Sequence, residues 1–108
     1  MRTRCNDLSK LEMAIKVWAK SRGINKAHPK DQYIKVVEEV GEIAEGLSKK
    51  NLNLIMDAIG DTFVTLVALC STLNIQLGDC VNMAYNEIKD RDGKMVDGVF
   101  VKEEDLEK

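Results

Sequence analysis

The sequence predicts an all-α protein of four helices, a four-helix bundle with a small β-hairpin or extended flap near its C-terminal end. Apolar residues recur at three- and four-residue steps through most of the 108 residues, which is the period of a helix packed on one side. The pattern changes after Gly93, where two short β-like runs follow each other. No internal repeat or low-complexity segment divides the chain, so we expect residues 1–108 to form a single helical domain.

The first two helices are predicted from amphipathic stripes and from the residues at their ends. The first runs from about residue 8 to 22 and is ended by Gly23. The second begins near residues 29–31, where Pro29 suits a first helical turn, and ends near residues 48–50. The stripe of the first helix contains Leu8, Leu11, Ile15 and Trp18, and that of the second contains Tyr33, Val37, Val40, Ala44 and Leu47.

Two further helices and a hairpin complete the predicted order. A third helix runs from about residue 53 to 73, and a fourth from about residue 77 to 90. Asp97-Gly98 between two β-like runs predicts a tight hairpin turn. The charged end after the hairpin is expected to be frayed. The residues of the fourth helix predicted to face inward are Val81, Ala84, Tyr85 and Ile88.

The composition is that of a soluble globular protein with a small core. Hydrophobic residues make up 44% and aromatic residues 5% of the chain, and the net charge is −2. This acidic balance does not favour binding to nucleic acid or to a membrane surface. The longest apolar stretch, around "FVTLVALCSTL", is predicted to be too short and too rich in Thr and Ser to span a bilayer. A thin core predicts self-association into a homo-oligomer.

The three cysteines point to a reducing compartment. Cys5, Cys70 and Cys80 are odd in number and lack the spacing of a metal site. Two of them lie in apolar stretches and are predicted to be small core residues. No apolar segment follows the charged start of the chain, so we expect a cytoplasmic protein.

The stretch "EEVGEIAE" places four glutamates on the second helix. With Glu39 taken as zero, Glu42 lies near about −60°, Glu38 near −100° and Glu45 near −120° around the helix axis. The apolar residues of this helix centre near about +100°. Glu39 therefore borders the apolar stripe, whereas Glu38 and Glu45 have the positions of solvated residues. By itself the stretch is typical of a solvent-exposed helix face.

Two aspartates in the apolar third helix favour a different interpretation. Asp57 and Asp61 are its only charged residues, and a spacing of four residues stacks them on one face, which continues into Val64 and Ala68. Both are therefore predicted to point into the interior. The third helix offers no basic partner, and the second helix, as its neighbour, adds more carboxylates from Glu38 to Glu45. Oxygen ligands in this number suit Mg²⁺, or Mn²⁺ in its place.

Histidine does not contribute to the predicted metal site. The lone His28 lies in a loop and is expected at the surface. No Glu-x-x-His pair is present, which argues against a di-iron bundle.

Basic residues follow the fourth helix in "NEIKDRDGK". Lys89, Arg91 and Lys94, with Asn86 nearby, are suited to binding phosphates held by a metal. The same cations also suit the negative end of the helix dipole, and the residues alone leave both interpretations open. Lys16 and Lys20 of the first helix are expected to form a solvated face.

Three motifs in order resemble the MazG-like nucleoside triphosphate pyrophosphohydrolases, particularly the short single-domain proteins of bacteria and phages. They are "VVEEVGEIAEG", "DAIGD" and "AYNEIKDRDGKM", and the resemblance extends from about Trp18 to Met95. It implies an all-α fold, a homodimer or homotetramer, and Mg²⁺-dependent hydrolysis of a (deoxy)nucleoside triphosphate to its monophosphate and pyrophosphate.

The resemblance also implies roles for individual residues. Glu39, Glu42 and Asp61 match metal ligands of the family, and Glu38 would orient or deprotonate the attacking water. The fourth ligand position falls on Ala58, for which Asp57 is the obvious substitute. The residues implied in substrate binding are Asn86, Lys89, Arg91 and Lys94 for the phosphates, and Trp18 for the base. The alternative function is a non-catalytic helical oligomerisation or binding module with a degenerate acidic site, which Ala58 favours.

Overall fold

The computed structural model describes residues 4–106, and most of them are helical. Four long helices are followed by a two-stranded antiparallel hairpin, which confirms the predicted all-α fold with its C-terminal appendage. The chain divides into two compact units, of which the first reaches Leu77 and the second begins at Gly78. The first unit contains α1 (Leu8–Ser21), a 3₁₀ turn (Ile24–Lys26), α2 (Pro29–Ser48) and α3 (Leu52–Thr72). At the boundary begins α4 (Leu77–Ile88), followed by β1 (Gly93–Val96), β2 (Val99–Lys102) and the short α5 (Glu103–Leu106).

Side-chain caps fix the starts of the three helices in the first unit. Asp7 Oδ1 accepts hydrogen bonds from two backbone N–H groups in the first turn of α1, and Asn51 Oδ1 accepts one in α3. His28 Nδ1 accepts a hydrogen bond of 3.1 Å from the backbone N–H of Lys30, with Pro29 as the first residue of α2. His28 is exposed, as predicted, and its structural role is to cap a helix.

The helices α2 and α3 form an antiparallel hairpin with a close contact near the turn. A Cβ atom added to Gly46 would lie 2.8 Å from Ile55 Cγ1, so the absence of a side chain permits this approach. At the other end, the amide of Gln32 donates a hydrogen bond of 3.5 Å to the carbonyl of Thr65. The residues of α2 on this contact face are buried or half-buried and are spaced by four and three positions: Gln32, Val36, Glu39, Ile43 and Gly46.

The prediction of which side of α2 faces the core is wrong. The side chains of the predicted stripe are largely exposed, including Tyr33 at 58%, Val37 and Val40 at 49%, and Leu47 at 61%. The observed contact face centres at about +20° from Glu39 instead of +100°. Apolar residues occupy a wide range of angles around the axis of α2. The close approach of the helices at Gly46 determines which of these residues contact α3. Glu39 therefore lies in the middle of the contact face and not at its border.

Helix α1 packs against α3 through a face that only partly matches the predicted stripe. Ala19 is fully buried, and Leu11 and Ile15 are half-buried as predicted. Leu8 and Trp18 are exposed, which contradicts their expected core positions.

Helix α3 supplies most of the core of the first unit and is also apolar enough to raise the question of a membrane span. Its buried residues are Ala58, Val67, Ala68 and Cys70. With 21 residues, and a mean hydropathy of 1.7 in its most apolar 18-residue window, α3 meets the criteria of a spanning helix by length and composition alone. Core helices of soluble proteins meet the same criteria, and α3 packs against both α1 and α2.

In the second unit, the hairpin forms as the sequence predicts. Gly93 pairs with Lys102 and Val96 with Val99 in an antiparallel register. Asp97 and Gly98 have φ values of 51° and 82°, which is the left-handed backbone that a two-residue hairpin turn needs.

Two expectations for the second unit are wrong. The residues of α4 predicted to face inward are exposed: Val81, Ala84, Tyr85 and Ile88. The end expected to be frayed forms α5 up to Leu106, where the N–H of Glu103 donates a 2.9 Å hydrogen bond to the carbonyl of Asp92. Residues 107–108 lie outside the described part of the chain.

Candidate metal centre

Three carboxylates meet at the interface between α2 and α3. Glu39, Glu42 and Asp61 each place one oxygen so that all three oxygens lie within 4.8 Å of one another. The spacing of three residues puts Glu39 and Glu42 on neighbouring turns of α2, and the antiparallel partner helix brings Asp61 opposite them. Glu39 and Asp61 are half-buried, whereas Glu42 is exposed at the mouth of the cluster. We refer to these three residues as the acidic triad.

The electrostatics of the acidic triad disfavour three negative charges without a counterion. Burial raises the pKa of Glu39, and the neighbouring carboxyl of Glu42 and then the charges of Asp61 and Glu38 raise it further. Burial also raises the pKa of Asp61, with additional contributions from Asp57 and Glu42. Glu39 Oε2 is buried and has no hydrogen-bond partner among the described residues. Such a group is satisfied by a proton or by a cation.

The donor set of the triad fits a hard divalent cation. All three ligands are carboxylate oxygens, with no histidine or cysteine among them. Oxygen ligands are preferred by Mg²⁺ and Mn²⁺, and one carboxylate-rich face leaves coordination positions for water and substrate. Glu39 Oε2, which has no hydrogen-bond partner among the described residues, adds an acceptor that a cation would satisfy. The residues present therefore fit a divalent-metal site.

Asp57 does not join the acidic triad, although Asp61 does. Asp57 is exposed, which contradicts the expectation that both aspartates point inward. The helix advances by about 3.6 residues per turn, so a step of four residues rotates Asp57 by about 40° away from the α2 contact. Its charge still acts on Asp61, whose pKa it raises. Ala58, at the position where the resemblance of the motifs implies a ligand, is buried at 1% exposure and offers none.

The other two glutamates of "EEVGEIAE" lie outside the triad and form ion pairs with lysines. Glu38 is exposed, and one of its oxygens lies 3.5 Å from Lys35 Nζ. Glu45 lies 2.6 Å from Lys49 Nζ, and this hydrogen-bonded pair lowers the pKa of Glu45. Glu45 is thus solvated, as the helical angle predicts. Glu38 acts on the triad only through its neighbour, because its charge contributes to raising the pKa of Glu39.

Trp18, the residue implied in base binding, is partly exposed and is covered by an arginine. The guanidinium of Arg22 lies 5.5 Å from the centroid of the indole ring, a cation–π contact. Ser21 Oγ accepts a 2.8 Å hydrogen bond from Arg22 and donates one of 2.7 Å to the carbonyl of Trp18. Arg22 was not among the predicted site residues, although its position four residues after Trp18 places the two side chains on the same side of the helix.

The residues implied in phosphate binding all lie in the second unit and are exposed. Asn86 belongs to α4, Lys89 and Arg91 follow it, and Lys94 lies in β1. Arg91 lines an open groove of about 520 Å³ within this unit. The other residues of that groove are Glu87, Asp90, Asp92, Lys102, Glu103 and Glu104.

Comparison with solved structures identifies the fold. The crystal structure of the Bacillus-conserved MazG protein, a nucleotide pyrophosphohydrolase, superposes with a TM-score of 0.67 over 85% of this chain and 97% of that one, at 19% sequence identity. The chain has a MazG-like fold. This agrees with the resemblance of the motifs, and it is a likeness of fold.

Sequence comparison adds a phage relative. The uncharacterized 18.2 kDa protein in the rep-hol intergenic region of Haemophilus phage HP1 (strain HP1c1) is 39% identical over 70 residues. The match includes 64% of this chain but only 43% of the length of the phage protein. No protein-family model matches the chain.

Proposed function

We propose that the chain is a divalent-metal-dependent nucleotide pyrophosphohydrolase that converts a (deoxy)nucleoside triphosphate and water to the monophosphate and pyrophosphate. The observation that carries this proposal is the acidic triad at the α2–α3 interface of a MazG-like fold. A solved protein with that fold is described as a nucleotide pyrophosphohydrolase. Like charges gathered at a helix contact, with a buried oxygen that lacks a partner, support a site built for a cation.

The acidic triad would hold Mg²⁺, or Mn²⁺ in its place. When bound, such an ion neutralises the carboxylates and stabilises the negative charge that develops on the phosphates. The oxygen of water would bond to the α-phosphorus as the bond from that phosphorus to the bridging oxygen breaks, so pyrophosphate leaves. Glu38, exposed and adjacent to Glu39, would orient this water or take its proton. Asp57 would supply the ligand missing at Ala58.

The remaining roles follow from the resemblance of the motifs. Asn86, Lys89, Arg91 and Lys94 would contact the phosphates, and the exposed part of Trp18 would contact the base. The exposed apolar residues of α2 support self-association into a homodimer or homotetramer, because a monomer seldom leaves such a stripe uncovered. We expect the protein to act in the cytoplasm, without nucleic-acid or membrane partners.

A pyrophosphate-release assay on the whole chain tests the function. Each nucleoside and deoxynucleoside triphosphate is supplied with Mg²⁺ or with EDTA. We expect Mg²⁺-dependent pyrophosphate release from at least one nucleotide, a loss of at least about a hundredfold in Asp61→Asn, and near-normal release in the control Glu45→Gln. The absence of metal-dependent pyrophosphate from every nucleotide would contradict the proposal.

A second candidate function is a non-catalytic helical module that retains the fold and a degenerate acidic site. The observation in its favour is Ala58, which is buried where the resemblance expects a ligand. This candidate predicts self-association and weak metal binding without turnover. The pyrophosphate assay separates the two candidates, since only the enzyme releases pyrophosphate.

A further inference from the structure

A second polar site lies in the first unit, where α1, the 3₁₀ turn and the end of α3 meet. It is a cavity of about 290 Å³. Its lining, which defines what we call the lysine cavity, consists of Lys16, Lys20, Asn25, Ser71, Asn74, Ile75 and Gln76. None of these residues belongs to the acidic triad.

The lysine cavity has positive charge and no lining carboxylate. Lys16 and Lys20 are four residues apart and therefore project from the same side of α1. Lys16 is half-buried, so the expectation that it belongs to a solvated face is wrong. The ion pairs between described residues join Lys35 to Glu38, Lys49 to Glu45 and Lys102 to Glu104, and neither cavity lysine takes part in them. Two ammonium groups in a recess whose lining contains no carboxylate suit an anion.

Two lining residues of the cavity, Asn25 and Ser71, also carry hydrogen-bond acceptors. Asn25 Oδ1 is buried and has no hydrogen-bond partner among the described residues. Ser71 Oγ donates its hydrogen to the carbonyl of Val67 at 3.1 Å, which leaves its lone pairs to accept. A phosphate ion satisfies the lysines but offers Asn25 and Ser71 only the hydrogens of its own P–OH groups. A ligand that carries hydroxyl groups beside its anionic group satisfies both sets.

We propose that the lysine cavity binds a small phosphorylated molecule with hydroxyl groups, of the sugar phosphate or nucleoside monophosphate class. Ser71 lies ten residues after Asp61 on α3, about 15 Å along the helix axis, so the cavity is separate from the acidic triad. Its charge is also opposite to that of the triad, and binding there needs no metal. The proposal does not depend on the proposed enzymatic activity.

A nuclear magnetic resonance titration of the whole chain in EDTA tests the proposal. Ribose 5-phosphate, inorganic phosphate and adenosine 5′-monophosphate are added separately, and backbone amide shifts are followed. We expect saturable shifts at Lys16, Lys20, Asn25 and Ser71, with ribose 5-phosphate binding about tenfold more tightly than inorganic phosphate because of its hydroxyl groups. Tighter binding of the nucleotide than of the sugar phosphate identifies the nucleotide as the ligand, and equal binding identifies the sugar phosphate.

Variants distinguish the cavity from general surface charge. Lys16→Gln and Lys20→Gln are each expected to weaken binding about tenfold, whereas Arg at both positions keeps it and Lys10→Gln on the same helix leaves it unchanged. Asn25→Ala is expected to remove the preference for the sugar phosphate over inorganic phosphate. The proposal is overturned if no probe gives saturable shifts at the cavity, if the shifts centre on the acidic triad, or if both glutamine variants bind as the wild type does.

Discussion

Glu39 of α2 and Asp61 of α3 face each other across the helix interface, with carboxylate oxygens within 4.8 Å, and burial raises the pKa of both. The two residues belong to helices that also pack closely at Gly46. The fold therefore holds two carboxylates close together at a packed helix contact. Two uncharged side chains at the same positions would give the folded protein a lower free energy. Because packing brings like charges together, the stability of the protein should depend on pH and on divalent cations.

The acidic triad makes the metal-free protein less stable as pH rises. The pKa values of Glu39 and Asp61 are raised above their ordinary values of 4.5 and 3.8, so the folded state holds protons more tightly than the unfolded state. Their stabilising contribution is present below those ordinary values and is lost as pH rises through the raised ones. In EDTA, Glu39→Gln should therefore gain stability relative to the wild type between about pH 4 and pH 7.

Urea denaturation across this pH range measures the effect, and Glu45 provides a control of opposite sign. The pKa of Glu45 is lowered by Lys49, so its small contribution is present above the ordinary pKa and is lost as pH falls. Glu45→Gln should therefore lose a little stability relative to the wild type near neutral pH. A Glu39→Gln variant whose relative stability is independent of pH would contradict the assigned electrostatics.

A divalent cation should stabilise the folded protein through the acidic triad. A ligand that binds only the folded state raises the melting temperature with its concentration. We expect Mg²⁺ or Mn²⁺ to raise the melting temperature of the wild type near neutral pH and to have little effect on Asp61→Asn. Differential scanning calorimetry with each ion and with EDTA provides the measurement, and an equal rise in the two proteins would place the ion elsewhere.

Asp57 should matter less for metal binding than Asp61 does. Asp57 is exposed and outside the triad, yet its charge raises the pKa of Asp61. We expect Asp57→Ala to weaken metal binding about tenfold by calorimetric titration, to lower the pKa of Asp61, and to reduce turnover severely if it replaces the missing ligand. Unchanged metal affinity and turnover in this variant would show that Asp57 does not substitute for a ligand at Ala58.

The close packing of α2 on α3 should depend on Gly46. An added Cβ would lie 2.8 Å from Ile55 Cγ1 and 3.1 Å from the Ile55 backbone nitrogen, so Gly46→Ala is expected to lower the free energy of unfolding by about 1–3 kcal/mol. Gly41 is the matched control on the same helix, because nothing lies within 4 Å of its added Cβ. Gly41→Ala should raise the free energy of unfolding by about 0.5–1 kcal/mol. Urea denaturation of both variants measures the difference, and equal effects would contradict the described contact.

The sequence predicts the positions of helices and strands better than it predicts which helix faces pack against each other. Helix starts are marked by local chemistry at Asp7, Pro29 and Asn51, and the hairpin by Asp97-Gly98, so their positions can be predicted from a few adjacent residues. The contact face of α2 cannot be predicted in this way. Its apolar residues span a wide arc, and the decision depends on a close approach to a helix that follows later in the chain.

The same limit applies to the candidate site. The isolated charge of Asp61 in an apolar helix correctly indicates a half-buried carboxylate. Asp57 carries the same signal but lies outside the contact, because the rotation of a helix over four residues depends on where the neighbouring helix touches it. Lys16 gives no sequence signal of partial burial, since lysines on amphipathic helices are usually solvated.

The most direct test of the central claim is nucleotide hydrolysis in water enriched in the heavy oxygen isotope, with the wild type and Asp61→Asn compared in Mg²⁺. The account predicts that the wild type releases pyrophosphate and that mass spectrometry finds the heavy oxygen in the nucleoside monophosphate, while Asp61→Asn is nearly inactive. Turnover that is undiminished in Asp61→Asn, or heavy oxygen found only in pyrophosphate, would contradict it.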